Sequence, residues 1–263
     1  MLIDDDIFLL KPKGWLEEFA EKYPKEIGIP IICNVRPNMV SERIGSLLKK
    51  SGCTHVAMGI ECGNNEIASK LLKRATKNEK IIEAANILNK NKIKIITLNL
   101  VGMPLENPLK VDLETLDFNL KIKPYFAWSS ILYPYPGTEL GDFAVDHGYF
   151  NANFEKVKIS NKSESVMKLG NKKLNRKINN LHKLMGVIVQ FPFLRPLTNF
   201  LISLPITFFY NWIYFAFYGY KFLRQSSFKG IVKNFGHYLI FYFKYVSRIE
   251  KKTKFKNRSS NIA

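Results

Sequence analysis

Cysteine is scarce: Cys33, Cys53 and Cys62 are the only three in 263 residues. They are too few and too evenly spread for a disulfide framework, and their spacings of 20 and 9 match no zinc or iron–sulfur ligand pattern. They read as reduced thiols of a cytoplasmic protein, with no metal-ligand set among them. An apolar leader is also missing, because Met1-Leu2-Ile3 runs straight into Asp4-Asp5-Asp6, which excludes a secretory signal. No dinucleotide or P-loop glycine pattern follows the early strands, which disfavours a nucleotide-binding doubly wound sheet. Acidic residues are nearly absent from the second part. Residues 1–150 hold 19 Lys/Arg and 19 Asp/Glu, whereas residues 151–263 hold 21 and 3, a net +18. That step places an expected domain boundary near residue 150.

The first part alternates short apolar runs with polar, helix-length segments. Leu2-Ile3 reads as the end of a strand. Gly14 to Tyr23 reads as a helix with Trp15, Leu16, Phe19 and Ala20 on one face. Strands are expected at Pro30–Val35, His55–Ile60, Lys94–Val101 and Ala127–Leu132. Helices are expected at Glu42–Lys50 (capped by Ser41), twice within Asn65–Asn91 (Thr76 or Asn78 capping the second), and at Val111–Lys121 and Glu139–His147. Strands alternating with helices imply a parallel sheet with right-handed crossovers. Burial of such strands on both faces explains the continuous Ile-Ile-Cys and Ile-Ile-Thr-Leu runs. The fold class is therefore α/β, an open or partial (β/α) barrel.

In that architecture chemistry sits on the loops after the strands. Those positions hold Asp4, Asp5 and Asp6, then Arg36, then Glu61 with Gly63. The corner Gly102-Met103-Pro104 with Glu106 follows, and then Tyr133 through Thr138. Each has an ordinary reading alone: a helix cap for the aspartates, a surface arginine for Arg36, common turns for the Gly/Pro corners. Glu61, between an apolar strand and a glycine, is the least ordinary. His55 and His147 end a strand and a helix and call for no catalytic role, and His182 and His237 suggest none.

Four of these segments, in order, resemble the radical S-adenosylmethionine (radical SAM) superfamily, in particular the branch with a cobalamin-binding domain ahead of the barrel. Asp5-Asp6-Ile7-Phe8 resembles its Asp-Asp-x-Phe corner after the second strand. Gly59-Ile60-Glu61-Cys62-Gly63 resembles "GIESG" after the fourth strand, with Cys62 in the serine position. Gly102-Met103-Pro104-Leu105-Glu106 resembles "GLPGET" after the fifth, with Leu105 replacing a glycine. Tyr133 to Leu140 resembles "P-x-PGT-x-L" after the sixth. The resemblance covers about residues 1–150. It implies a partial TIM-like barrel, the second to sixth strands of a radical SAM core, followed by an α-helical appendage over 151–263. It also implies a site for S-adenosylmethionine. Asp5 or Asp6 would face the amino end of the methionine moiety, and Glu61 its ribose or methionyl part. Gly102 and the stretch Ser129 to Tyr133 would flank adenine, with Arg36 and Gly63 on the same rim. The implied cofactors are S-adenosylmethionine and a [4Fe–4S] cluster, with cobalamin in the full-length protein. The implied chemistry is reductive cleavage of the sulfonium to a 5′-deoxyadenosyl radical.

The Cys-x3-Cys-x2-Cys that holds the family's cluster is not in this sequence. The expectation is the C-terminal portion of a radical SAM enzyme, inactive alone, completed by an upstream cluster-bearing and cobalamin-binding half. A barrel lacking its first unit leaves an open edge and an unfilled core. The competing expectation is a non-catalytic, membrane-associated scaffold built on a degenerate half-barrel.

The second part is basic and aromatic. Between Val187 and Tyr220 the single charge is Arg195, and Pro196–Tyr220 is long enough to span a bilayer. Pro196, Pro205 and interspersed Thr, Asn and Ser favour an interrupted, interfacial segment. Gly230–Arg248 reads as a basic amphipathic helix. These features predict an anionic membrane surface as partner, possible substrates that are lipid or otherwise apolar, and a peripheral position at the inner face of the membrane. Nucleic acid is disfavoured, because the long uncharged run does not suit a phosphate-lined groove.

Overall fold

The apolar runs become five strands of one sheet: β1 (Leu2–Ile3), β2 (Ile31–Val35), β3 (Cys53–Glu61), β4 (Lys94–Val101) and β5 (Phe126–Ile131). The structure is a computed structural model that describes residues 1–3, 5–154 and 165–225. The strands lie in the order β1-β2-β3-β4-β5 and every pair is parallel. Spatial order thus equals chain order, and each crossover returns to the adjacent strand. A doubly wound sheet reverses its order at a switch point; this one does not. It is a stretch of (β/α) barrel wall.

The helices between strands are α1 (Trp15–Glu26), α2 (Glu42–Lys50), α3 (Asn65–Lys70), α4 (Asn78–Lys90) and α5 (Pro108–Ile122), followed by α6 (Glu139–Asp146), α7 (Lys172–Gln190), α8 (Thr198–Ser203) and α9 (Thr207–Gln225). Short polar residues start several of them by accepting an otherwise unpaired backbone N–H: Ser41 from Ile44, Asn64 from Ile67, Thr138 from Gly141 and Asn171 from Leu174. The cap of α4 corrects the sequence reading. Lys77 occupies it without a side-chain bond. The Asn78 N–H donates instead to Asn65 Oδ1 at 2.9 Å, and Asn78 Nδ2 donates to the Gly63 carbonyl at 2.6 Å. The start of α4 is thereby tied to the loop after β3 and to α3, so a tertiary acceptor replaces the local one.

All the crossover helices cover one face of the sheet. Leu16, Leu48, Ile81 and Leu88 pack with Cys33, Val56, Met58 and Ile95 in one core. Leu116, Ile178, Leu181 and Met185 pack with Val101, Ala127 and Ile131 in a second. A small polar network lies within this outer layer. Asn119 of α5 accepts from Thr97 Oγ1 (2.5 Å) and donates to Asn99 Oδ1 (2.7 Å), and Asn99 donates to the Trp128 carbonyl (2.8 Å). Each buried amide thus finds partners. The opposite, inner face carries Ile32, Asn34, Ala57, Leu98, Leu100, Trp128 and Ser130, all half-buried.

The chain divides into two units, Met1–Tyr214 and Phe215–Ala263. The charge step near residue 150 lies inside the first unit, where α7 joins the outer layer beside α5 and β5. The second unit is described only through residue 225, so the helix expected over Gly230–Arg248 lies outside the described residues. The uncharged run Pro196–Tyr220 is broken between α8 and α9, where Pro205 stands. Among the described residues, no helix is long and apolar enough to cross a membrane.

Two positions in this frame generate predictions. A Cβ at Gly63 would lie 2.7 Å from Thr115 Cα and 2.8 Å from the Glu114 carbonyl oxygen. Gly63→Ala must therefore push the β3 loop off α5, at a cost of about 1–3 kcal/mol measured by urea unfolding. Asp112 of α5 is fully buried and accepts the Gly102 N–H on both carboxyl oxygens, at 3.0 and 3.1 Å. Burial pushes this carboxyl up to about 8 from its ordinary 3.8, with the Gly102 bond opposing the shift. Its contribution is fully present below 3.8 and is lost as pH rises through about 8. Asp112→Asn keeps an acceptor for Gly102 but cannot ionise, so thermal melts between about pH 5 and 9 should lose that downward slope.

Candidate functional site

Parallel winding brings the carboxyl ends of all strands to one rim, and a cavity of about 520 Å³ opens there on the inner face. Its floor is apolar, made by Ala57, Leu98 and Leu100. Its polar rim is Asp6, Arg36, Glu61 and Arg74, with Asn34 at one side. Strand alternation explains the floor: Gly59 of β3 and Leu98 of β4 are register partners on the inner face.

Glu61 reaches the cavity through an irregularity. The β3–β4 register shifts between Gly59 and Glu61, so Glu61 pairs along the ladder with outward-facing Asn99. A bulge of this kind re-aims a side chain. Glu61 sits at φ 60, a left-handed conformation that a residue with a Cβ rarely adopts. Its carboxylate turns inward, onto the same face as Gly59. A Cβ at Gly59 would stand 2.7 Å from Glu61 Oε1 and 3.3 Å from Arg74 Nη2, so the missing side chain at Gly59 makes room for this pair.

Arg74 comes from the loop between α3 and α4, which is held by its own N–H donating to the Ala68 carbonyl at 2.9 Å. Its guanidinium lies 3.6 Å from Glu61, close enough for ionic attraction and too long for a good hydrogen bond. Nη1 is buried and lacks an acceptor. Burial pushes the Glu61 carboxyl up, and the Arg74 charge pulls it back only in part. The rim thus holds a strained carboxylate and a guanidinium that are imperfectly satisfied by one another. Such a pair can bind a ligand carrying both an anionic or hydroxyl group and a cation.

Of the residues singled out from sequence, Asp6, Arg36 and Glu61 meet at this cavity. The others lie elsewhere. Asp5 turns to Lys11 Nζ at 2.6 Å, and that bond lowers its pKa. Gly63 packs on α5, where its N–H donates to Thr115 Oγ1 at 2.9 Å. Gly102, at φ 78, is tied to Asp112 and lies under Leu169 and Ile178. Ser129 faces the outer layer and donates to the His182 carbonyl of α7 at 2.8 Å. Tyr133 is buried in the second core. On β5 the inward positions are Trp128 and Ser130, one residue either side of Ser129, joined by Trp128 Nε1 donating to Ser130 Oγ at 3.3 Å. Sequence reasoning missed Arg74 because nothing local distinguishes it within the Lys73-Arg74-Ala75-Thr76-Lys77 loop.

The cysteines do not form a ligand group. Cys33 and Cys53 approach to 3.9 Å between sulfurs, buried in the first core. Cys62 lies in the second core, where its sulfur accepts the Asn64 N–H. Burial pushes the Cys62 thiol up, and the bond with Cys53, then burial, pushes up Cys33. Among the described residues no three or more His, Cys, Asp or Glu are grouped to hold a metal ion.

Comparison with known proteins adds the family. A model described as "Radical SAM superfamily" matches residues 5–115. An uncharacterized methyltransferase of Pyrococcus horikoshii is 27% identical over 141 residues, 54% of this chain and 30% of that protein. An uncharacterized protein of Methanocaldococcus jannaschii is 28% identical over 109 residues, 41% of this chain and 21% of that one. This chain thus spans less than a third of the length of either relative. Among solved structures, the radical S-adenosylmethionine methyltransferase TsrM from Kitasatospora setae, with cobalamin and a [4Fe–4S] cluster bound, is similar at a TM-score of 0.43 and 16% identity. That similarity covers 52% of this chain and 28% of that one. With its parallel β/α wall and ordered strand-end motifs, this chain belongs, through residues 5–115, to the radical SAM superfamily.

Proposed function

We propose that the first unit cradles S-adenosylmethionine for a radical SAM enzyme, and that the cavity ringed by Asp6, Arg36, Glu61 and Arg74 is the seat. The observation that carries this reading is the convergence of two carboxylates and two guanidinium groups over an apolar floor at the strand ends. The residues suit the ligand. Carboxylates at Asp6 and Glu61 complement an ammonium and a sulfonium. The acceptor-less Arg74 Nη1 complements a carboxylate or ribose hydroxyl. Ala57, Leu98 and Leu100 offer a surface for a base. When bound beside a reduced cluster, S-adenosylmethionine supplies a 5′-deoxyadenosyl radical. The role of this chain's residues is to bind, orient and exclude water. Its buried, separated cysteines do not fit a [4Fe–4S] cluster, so this reading assigns the cluster, and cobalamin, to a partner polypeptide. The methyltransferase description of the Pyrococcus horikoshii relative makes methyl transfer the reaction class to test first.

Calorimetric titration of the purified chain with S-adenosylmethionine should give saturable binding. Asp6→Ala and Glu61→Ala should each weaken it about tenfold, the scale of one charged hydrogen bond. Ser129→Ala, on the opposite face, should leave it unchanged. No binding, or equal loss from Ser129→Ala, would favour the non-catalytic scaffold. A second outcome concerns pH. Binding should weaken as pH falls through the raised Glu61 pKa, because protonation removes the carboxylate. Arg74→Met, which removes the cation that lowers that pKa, should move the fall to higher pH.

A further inference from the structure

The outward faces of α8 and the first half of α9 invert the usual distribution of aromatics. Phe208 is 75% exposed, Phe193 73%, Phe200 65% and Trp212 65%, with Leu197 and Phe209 also exposed. The inward positions of the same helices are Thr198, Ile202, Tyr210 and Tyr214, all buried. Single exposed apolar residues are ordinary, but a contiguous set of this kind marks an interaction surface.

The patch is held rigidly. Tyr210 Oη donates to the Leu201 carbonyl at 2.8 Å, locking α9 to α8. Buried Asn180 of α7 donates to the Ile202 and Leu204 carbonyls at 2.9 and 3.0 Å, and accepts from Thr207 Oγ1 at 3.0 Å, pinning the turn between the two helices. Arg195 makes a two-bond pair with Asp117 of α5, at 2.5 and 2.8 Å. These anchors fix the outward direction of the aromatics, which is therefore a feature of the packed unit.

Charge selects the occupant. Residues 165–249 contain no Asp or Glu. The first turn of α7 exposes Lys172 and Lys173, and Arg176, one turn on, donates to the Ser203 carbonyl at the end of α8. The aromatic face is thus bordered by cations with no acidic residue of its own segment to neutralise them. A second copy of this chain would oppose two like-charged surfaces. A nucleic acid would need phosphate contacts, which the uncharged aromatic face does not offer. An anionic lipid surface satisfies both features, because rings settle at the headgroup boundary and lysines meet lipid charge. Since no described helix can cross a bilayer, the contact is a superficial one.

We propose that the aromatic face of α8 and α9, with the basic start of α7, docks this protein on an anionic membrane surface. This does not depend on the S-adenosylmethionine reading. The test is co-sedimentation of the full chain with vesicles of pure phosphatidylcholine and of phosphatidylcholine with 30% phosphatidylglycerol, against Phe208→Ser/Trp212→Ser and, separately, Lys172→Glu/Lys173→Glu. All four positions are exposed, so unchanged melting temperatures should accompany every variant. The expected result is binding to the anionic vesicles only, reduced about tenfold by either double variant and weakened by salt. Absent binding, equal binding to neutral vesicles, or undiminished binding of the aromatic variant would overturn the proposal. So would finding that the aromatic substitutions dissolve a dimer instead, or release a bound duplex DNA while vesicle binding is absent.

Discussion

Each crossover in this protein returns to the neighbouring strand, and nearly everything else follows from that. Parallel neighbours wound in one sense send every helix to one face and every strand end to one rim. The outer face is then closed by two continuous cores. The inner face keeps its side chains half-buried, and the cavity opens where that face meets the rim. A doubly wound sheet of the same elements would have covered both faces and moved the crevice to a switch point.

Within that frame the site depends on a local departure from regularity. A strictly alternating ladder would align Glu61 with Asn99 and the outer polar network. The shift at the end of β3 and the left-handed backbone at Glu61 send its carboxylate inward, where Gly59 leaves space for it and for Arg74. Strain of this kind persists only where surrounding contacts over-determine it. Here they do: Gly63 is wedged on α5, Asn64 caps α3 and bonds Glu114, and Asn78 ties α4 back to the loop. The loop after β3 is thus the most heavily braced of the strand-end loops, and it carries the carboxylate.

The helices after residue 165 do two jobs with one set of contacts. α7 completes the outer layer through Ile178, Leu181 and Met185, and it seals off Ser129 and Gly102. The same helix, through Asn180, holds α8 and α9 with their aromatics turned outward. A change in basic composition therefore does not mark a change of folding unit, since the charge sits on exposed positions and the packing runs through apolar ones.

Much of this was legible without coordinates. The alternation of apolar runs and 3.6-period segments determined the β/α order, and Ser41 and the glycine corners placed element ends within a residue or two, because these are local steric and hydrogen-bonding preferences. Asp6, Arg36 and Glu61 were visible as polar residues closing apolar strands. What local pattern could not decide was facing. Ser129 and Ser130 are equivalent in sequence, yet a period of two sends one to α7 and the other to the inner face. Arg74 lies in a loop whose path is set by Ala68 and by the packing of α3 and α4, so no neighbour in sequence announces its meeting with Glu61. The sequence alone determined which elements form and where their polar ends fall. The tertiary structure alone decided which of those ends share a cavity, because that depends on register, on one bulge, and on which helix covers which face.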